Sequence, residues 1–519
     1  MEPACIRHTD LPGTSRLFAD FSYHFDRVAP FFRHAPEDPG SFAAAVREID
    51  YPEARRAAMV AALAAQNGPS ESLKMLARPG TVAVVTGQQV GLFCGPAYTV
   101  YKALTAIRVA RDLTAQRIAA VPIFWLASED HDFAEAAVFH GFDASYRPTR
   151  LELKAPKEAE DRPCPVGNLR IENAPLGELR QMLAGFPHGD DVFALVKTAY
   201  ANGATMTQAF RTLLNRLLPD SGLLTLDPMD PKIRSIAAPF LADALTAAPD
   251  LKADLLKRGN ELSAAGYHPQ VLVEPKSSLF FLLENGERVT LRRKDSDFAA
   301  LRDRAADVSP NALLRPVMQD YLLPTAAFIG GPAEVAYLAQ SQVVYDRLLG
   351  RMPVVLARAS FTLLESRTAK LLERYKLSIP ETLVNEDALK ERLASALVPS
   401  DIEHSFIDAA GELDRRLTRL SGELERFDHS LATALAKSRA KMTYQLEKIR
   451  RKTAREILRR DVNASDGAEH LSNVLFPHRH LQERFYSILP FLAEHGLDLP
   501  ARLLESLTLA CPDHRVVRL

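Results

Sequence analysis

The chain alternates short, uninterrupted apolar runs with longer segments of helical periodicity. Residues 81–86 (TVAVVT) form a β-branched run that stops at Gly87, and a helical stretch follows from residue 97 to about residue 113. A second run, 121–127 (VPIFWLA), ends in Ser128-Glu129-Asp130-His131-Asp132. Further runs at 223–226, 326–329 and 353–357 end at Asp227-Pro228, Gly330-Gly331-Pro332 and Arg358, with a helix opened by Pro332 between the last two. Strands that are apolar throughout, rather than on alternate residues, are buried on both faces. Their alternation with helices predicts an α/β class protein with a doubly wound parallel sheet.

Two stretches break the rhythm. Residues 141–195 carry alternating runs and several prolines, and 255–320 carry a hairpin signal, 279–283 and 288–291 joined at Asn285-Gly286. Both are read as insertions, which leaves the core in three parts, 1–140, 196–254 and 321–378. From Leu413 the apolar positions Leu413, Leu417, Leu420, Leu424, Phe427 and Leu431 recur at spacings of four and three. No proline or glycine interrupts 423–460, so one long helix is predicted there, in an antiparallel or dimeric coiled coil spanning 379–465. Residues 466–519 are expected to form a compact segment packing on the core or the coiled coil.

Composition narrows the function. At 519 residues the chain has room for about three structural units. Hydrophobic and charged fractions of 47% and 25% exclude a disordered or fibrous chain. Lys and Arg total 64 against 65 for Asp and Glu, which excludes a globally basic nucleic-acid binder. The balance is global but not local: 437–460 holds ten basic residues and two acidic ones, a formal charge of +8, read as a second anion site or as a solvated helix face. The four cysteines are scattered, with no C-x-x-C pair, so neither a disulfide framework nor a thiolate zinc site is indicated. The first residues lack the basic start and apolar run of a signal peptide, and no apolar run approaches a membrane span. A cytoplasmic protein without a membrane partner is expected.

In open α/β sheets ligands bind beyond the carboxyl ends of the strands, which makes the loops after each run the candidate sites. The first offers Gly87, Gln88, Gln89, Gly91 and Gly95, whose spacing lets backbone N–H groups approach a phosphate or carboxylate, with Lys102 in the following helix as a charge partner. It matches no standard nucleotide fingerprint, and plain turning and helix packing is the competing reading. The second is chemically denser. Glu129, Asp130, His131 and Asp132, just after Trp125, suit general acid/base work or the binding of an ammonium group. A divalent metal with His140, or the capping of a short helix over 133–137, are the alternatives. Asp227 is either a ribose-hydroxyl acceptor or a helix start. Gly330, Gly331 and Glu334 could hold a ligand carboxylate or ammonium, or simply cap a helix, and Arg358 is a further anion-binding candidate. Cys94 has no local His or Asn spacing for a dyad and reads as a packing residue.

Taken together, VVTGQQVGLFCGPAYTVYKALTAI, PIFWLASEDHDFAEA, YLLPTAAFIGGPAEVAYLAQ, LFPHRHLQERFYS and the opening LPGTSRLFADFSYHFDRVAPFF resemble the BshC family, the cysteine ligases of bacillithiol biosynthesis. Cys94 departs from the small hydroxyl residue expected at its position. The resemblance implies a Rossmann-like core with two connecting-peptide insertions, a coiled-coil domain and a homodimer built on it. It also implies a ligase forming a carbon–nitrogen amide bond, adding cysteine to the amine of glucosaminyl-malate as the last step of that synthesis. Such chemistry needs the cysteine carboxylate activated, most simply by ATP, although the sequence identifies no cofactor. The glycine loops with Lys102 and Arg358 would then hold phosphate or carboxylate oxygens, and Glu129, Asp130, His131 or Asp132 would bind and deprotonate the amine. A metal-dependent sugar hydrolase or nucleotidyltransferase using the acidic loop, and a coiled-coil interaction scaffold, are the rival function classes.

Overall fold

The computed structural model describes residues 4–156, 162–291 and 301–519. Residues 157–161 and 292–300, inside the two expected insertions, lie outside the described residues. The chain divides into two compact units, one of residues 1–362 with 483–517 and the other of residues 363–482 with 518–519.

In the first unit the five apolar runs become five parallel strands of one sheet: β1 (Val82–Gln89), β2 (Ala120–Ala127), β3 (Leu224–Leu226), β4 (Thr325–Gly330) and β5 (Val354–Ala357). Across the sheet they run 3-2-1-4-5, the Rossmann order, whose switch point lies between β1 and β4. Alternate residues of β1 enter different cores. Val82 and Val84 pack with Ala106, Val109 and Leu113 of helix α1 (Tyr98–Ala115), whereas Ala83 and Val85 join Met59, Leu63 and Phe240 on the other face. A strand clothed on both sides must be apolar at every position, which is why these runs do not alternate.

Helix α2 (Pro231–Thr246) follows β3, α3 (Arg315–Leu322) precedes β4, and α4 (Pro332–Leu348) connects β4 to β5. An antiparallel pair, Val138–Phe142 with Pro148–Glu152, spans the expected start of the first insertion at residue 141. The second carries the expected hairpin, Phe280–Glu284 with Glu287–Thr290, turning at Asn285 and Gly286, both at positive φ as a two-residue hairpin loop requires.

One boundary differs from the sequence reading. β1 does not stop at Gly87 but pairs with β2 in unbroken register as far as Gln89 opposite Ala127. A Cβ at Gly87 would lie 2.8 Å from the Trp125 carbonyl oxygen and 3.0 Å from the Trp125 Cβ, so this glycine permits a close strand approach rather than a turn.

The second unit is helical. The uninterrupted helix expected over 423–460 is instead two helices, α5 (Ser400–Phe427) and α6 (His429–Arg460). Asp428 separates them: its backbone is extended, and its carboxylate caps α6 by accepting from the Ser430 N–H at 2.7 Å. Asp414 pairs with Arg439 and Glu403 with Arg450, contacts that place α5 and α6 antiparallel as a hairpin. Among the described residues no helix is long and apolar enough to cross a membrane.

Because the Trp125 carbonyl is backbone held in the sheet, Gly87→Ala should destabilise the first unit by about 1–3 kcal/mol, as overpacking does. The midpoint of urea unfolding, followed by tryptophan fluorescence, checks this; an unchanged midpoint would mean that the strands can part there freely.

Candidate functional site

A cavity of about 550 Å³ opens at the carboxyl ends of the strands beside the switch point. Of the residues expected from the sequence, Gly87, Gln88, Gln89, Lys102, Glu129, Asp130, Gly331, Glu334 and Arg358 line it. Gly91 and Gly95 line a neighbouring cavity of about 380 Å³ that shares Gln88, Gln89, Tyr98 and Glu135 with the first. Trp125 is fully buried in the core under Gly87 and lines neither. Asp227 is buried at the end of β3, accepting from the Ser128 hydroxyl at 2.5 Å and the Met229 N–H at 3.0 Å, and burial raises its carboxyl above the ordinary range despite those donors. Gly330 is the last residue of β4, packed against the Glu334 Cβ.

The acidic loop after β2 is divided among different tasks. Glu129 is buried and paired with Arg234 of α2 at 2.6 Å; the same guanidinium donates to the carbonyls of Ala306 and Val308, so this pair ties the second insertion to the core. Asp132 is exposed and caps the short helix Phe133–Ala136, accepting from the Glu135 N–H at 3.0 Å. His131 is exposed, with its Nδ1 3.3 Å from the Arg288 guanidinium. Asp130 accepts from the Asp132 N–H and keeps a carboxylate in the cavity wall. Glu135, which the sequence reading passed over, stands beside it in both cavities; partial burial and the charges of Asp132 and Asp130 raise its carboxyl.

The two cations expected to serve as charge partners for a ligand already have carboxylate partners. Lys102 Nζ reaches the Glu334 carboxylate at 2.5 Å and donates to the Gly87 carbonyl and the Gln88 side chain at 2.9 and 2.8 Å. Burial lowers its ammonium, and Glu334 opposes that shift. Glu334 also accepts from the Gly331 N–H at 2.7 Å, so it caps α4 and holds Lys102 with one side chain. Arg358 is fixed by Glu483, whose carboxylate accepts two guanidinium bonds at 2.9 and 2.7 Å, the Ser360 hydroxyl at 2.9 Å and the Phe361 N–H at 2.9 Å. Burial alone would raise the Glu483 carboxyl; Arg358 and these donors overcome it and hold the carboxyl far below its usual value.

The cations left without a carboxylate within ion-pairing distance, among the described residues of the cavity wall, are Arg288, Arg315 and Arg484. Arg288 rises from the hairpin of the second insertion, lies over the Phe281 ring and donates to the Ser309 hydroxyl and the Pro310 carbonyl. Arg315, at the start of α3, donates to the Tyr337 hydroxyl at 3.2 Å. No motif announces either residue. Glu483 and Arg484 fall inside the segment LFPHRHLQERFYS, the one signal in the sequence that pointed to them.

The loop between β1 and α1 is held in a demanding conformation. Phe93 and Cys94 both adopt positive φ, supported by the Tyr200 hydroxyl, which accepts from the Cys94 N–H and donates to the Gly91 carbonyl. The Cys94 thiol is fully buried and pushed up by that burial, as a packing residue would be. In the second unit, Arg439, Arg450 and Arg455 of the basic stretch pair with Asp414, Glu403 and Glu391.

Comparison with known proteins adds to this geometry. Residues 1–359 match the model of the bacillithiol biosynthesis BshC N-terminal Rossmann-like domain, and 361–519 that of the BshC C-terminal coiled-coil domain. Relatives named "Putative cysteine ligase BshC" include one from Solibacter usitatus, 50% identical with all of both chains covered, and one from Koribacter versatilis, 39% identical over all of both chains. A third, from Salinibacter ruber, is 31% identical with 96% of each chain covered.

Removing Glu483 leaves a buried guanidinium uncompensated, so Glu483→Ala should cost about 3–5 kcal/mol of stability. The sign of its pH dependence follows from the depressed carboxyl. The contribution is complete above the unfolded value, about 4.3, and fades as pH falls toward the folded value of about 2. Denaturant titrations of the wild type and Glu483→Gln at pH 7 and pH 3 should therefore show the gap narrowing at low pH; a gap independent of pH would contradict the assignment.

Proposed function

The chain belongs to the bacillithiol biosynthesis BshC family, and from that premise we propose that it is a cytoplasmic ligase joining cysteine by an amide bond to the amine of glucosaminyl-malate. This is the last step of the synthesis. The observation that carries the reading is the mixed character of the cavity wall, where Arg288 and Arg315, without carboxylate partners, share one space with Asp130 and Glu135. Glucosaminyl-malate has the complementary pattern, an ammonium group and two carboxylates on one small molecule. Cysteine, the second substrate, is likewise zwitterionic.

The roles follow from what each side chain is free to do. Arg288 and Arg315 hold the malate carboxylates by charge-assisted hydrogen bonds. Asp130 binds the sugar ammonium and takes its proton, which exposes the lone pair that attacks the cysteine carbonyl carbon. Glu135, with its raised carboxyl, is suited to receive the proton in turn. Lys102 and Arg358, fixed by Glu334 and Glu483, contribute a constant field rather than mobile hands. The cysteine carboxylate needs a leaving group before attack, and a nucleoside triphosphate co-substrate supplies one.

The helical hairpin supports a homodimer. Leu420, Phe427, Met442, Tyr444 and Ile449 are exposed on it, apolar side chains that a second copy would cover. Sedimentation should report a dimer, and Phe427→Glu together with Ile449→Glu should shift it toward monomer; a monomeric wild type would refute the arrangement.

The reaction is tested by incubating the protein with cysteine and glucosaminyl-malate, with and without ATP, and following thiol product with phosphate and pyrophosphate. Product is expected only with the triphosphate, and Asp130→Asn should lower turnover by about 10²-fold or more, as loss of a general base does. Undiminished turnover in the variant would remove Asp130 from the reaction, and absence of product in every arm would count against the ligase reading.

A further inference from the structure

The two ends of the chain bring together a pair of thiols that sequence distance conceals. Cys5 lies on the strand Ala4–Ile6, which pairs antiparallel with His514–Arg518, placing Cys5 opposite Arg515. Cys511 lies in the loop just before that second strand, and its Sγ is 3.6 Å from the Sγ of Cys5, a van der Waals contact. The loop is anchored on both sides of the cysteine. Arg515 donates to the carbonyls of Ser506, Thr508 and Cys511, and the Tyr23 hydroxyl donates to the Asp513 carboxylate at 2.7 Å while accepting from the His8 N–H at 2.7 Å. Both residues are open to solvent: Cys5 is exposed, and Cys511 is half-buried in the wall of a separate cavity of about 360 Å³.

We propose that Cys5 and Cys511 are a site of reversible disulfide formation whose oxidant is a small-molecule disulfide. One cysteine, as thiolate, attacks a sulfur of the oxidant, forms a mixed disulfide and releases one small thiol. The second then loses its proton and attacks the protein sulfur of that mixed disulfide. The Sγ–Sγ bond forms, the second small thiol leaves, and each departing sulfur takes up one of the two protons the cysteines gave up. The protein loses two electrons and the oxidant gains them. The sulfurs must close from 3.6 Å to about 2 Å, a movement within reach of side-chain rotation at an exposed strand and a loop.

The bond would close a ring around nearly the whole chain and fix the loop that walls the 360 Å³ cavity. Arg358 lines both this cavity and the strand-end site, so the fixed loop stands across one wall from the proposed chemistry. The proposal does not depend on which reaction that site performs.

The test uses the full chain carrying Cys164→Ser, so that the other half-buried thiol adds no adduct, treated with 2-hydroxyethyl disulfide. Intact mass spectrometry without alkylation should show a mass two hydrogens below the reduced chain, and digestion after alkylation a linked peptide containing Cys5 and Cys511, both reversed by dithiothreitol. Adding Cys5→Ser or Cys511→Ser should leave the remaining thiol as a stable hydroxyethylthiol adduct instead. Separate adducts on both cysteines, or two alkylated thiols after prolonged treatment, would overturn the proposal.

Discussion

A guanidinium and a carboxylate buried together hold each other in place, because neither has water to turn to. Arg358, just beyond β5, and Glu483, from the returning end of the chain, are such a pair, and the Glu483 carboxylate accepts four hydrogen bonds. Removing either partner would leave the other charge buried and uncompensated, so the pair holds both side chains to one arrangement. It fixes Arg358 in the wall of the strand-end cavity and sets Arg484, the next residue, at the same wall. Residues 483–517 thereby belong to the first unit, although more than a hundred residues of helical chain precede them.

The same logic sorts the remaining charges. Lys102 with Glu334 and Arg234 with Glu129 are satisfied within the protein and act as scaffold. Arg288, Arg315 and Asp130 keep capacity for a ligand. Proximity of charged residues in sequence was therefore a poor guide to role: of four consecutive ionisable residues after β2, one is a scaffold anion, one a helix cap, one an exposed imidazole and one a cavity carboxylate.

The sheet was legible because burial on both faces leaves an unmistakable mark, and each of the five apolar runs became a strand. The loops after β1, β2, β4 and β5 were legible for the geometric reason that parallel strands end together. Other features had no local signature. Arg315 reaches the site only through long-range packing, and the break at Asp428 depends on one capping carboxylate in a stretch whose apolar spacing runs straight through it. The end of β1 was placed two residues early because a glycine that allows two strands to approach looks, in sequence, the same as one that turns the chain. The contact of Cys5 with Cys511 spans 506 positions and could not be inferred from spacing at all.

On the proposed function, cations without a carboxylate partner, Arg288 and Arg315, select a ligand bearing carboxylates at the strand-end cavity. Calorimetric titration of glucosaminyl-malate against methyl glucosaminide, on the wild type and on Arg315→Ala, tests it most directly. The wild type should bind the malate conjugate far more tightly than the glycoside, and Arg315→Ala should lose about 10- to 100-fold of that preference, the worth of a hydrogen bond to a charged group. Equal affinity for the two sugars, or a preference untouched by the substitution, would contradict it.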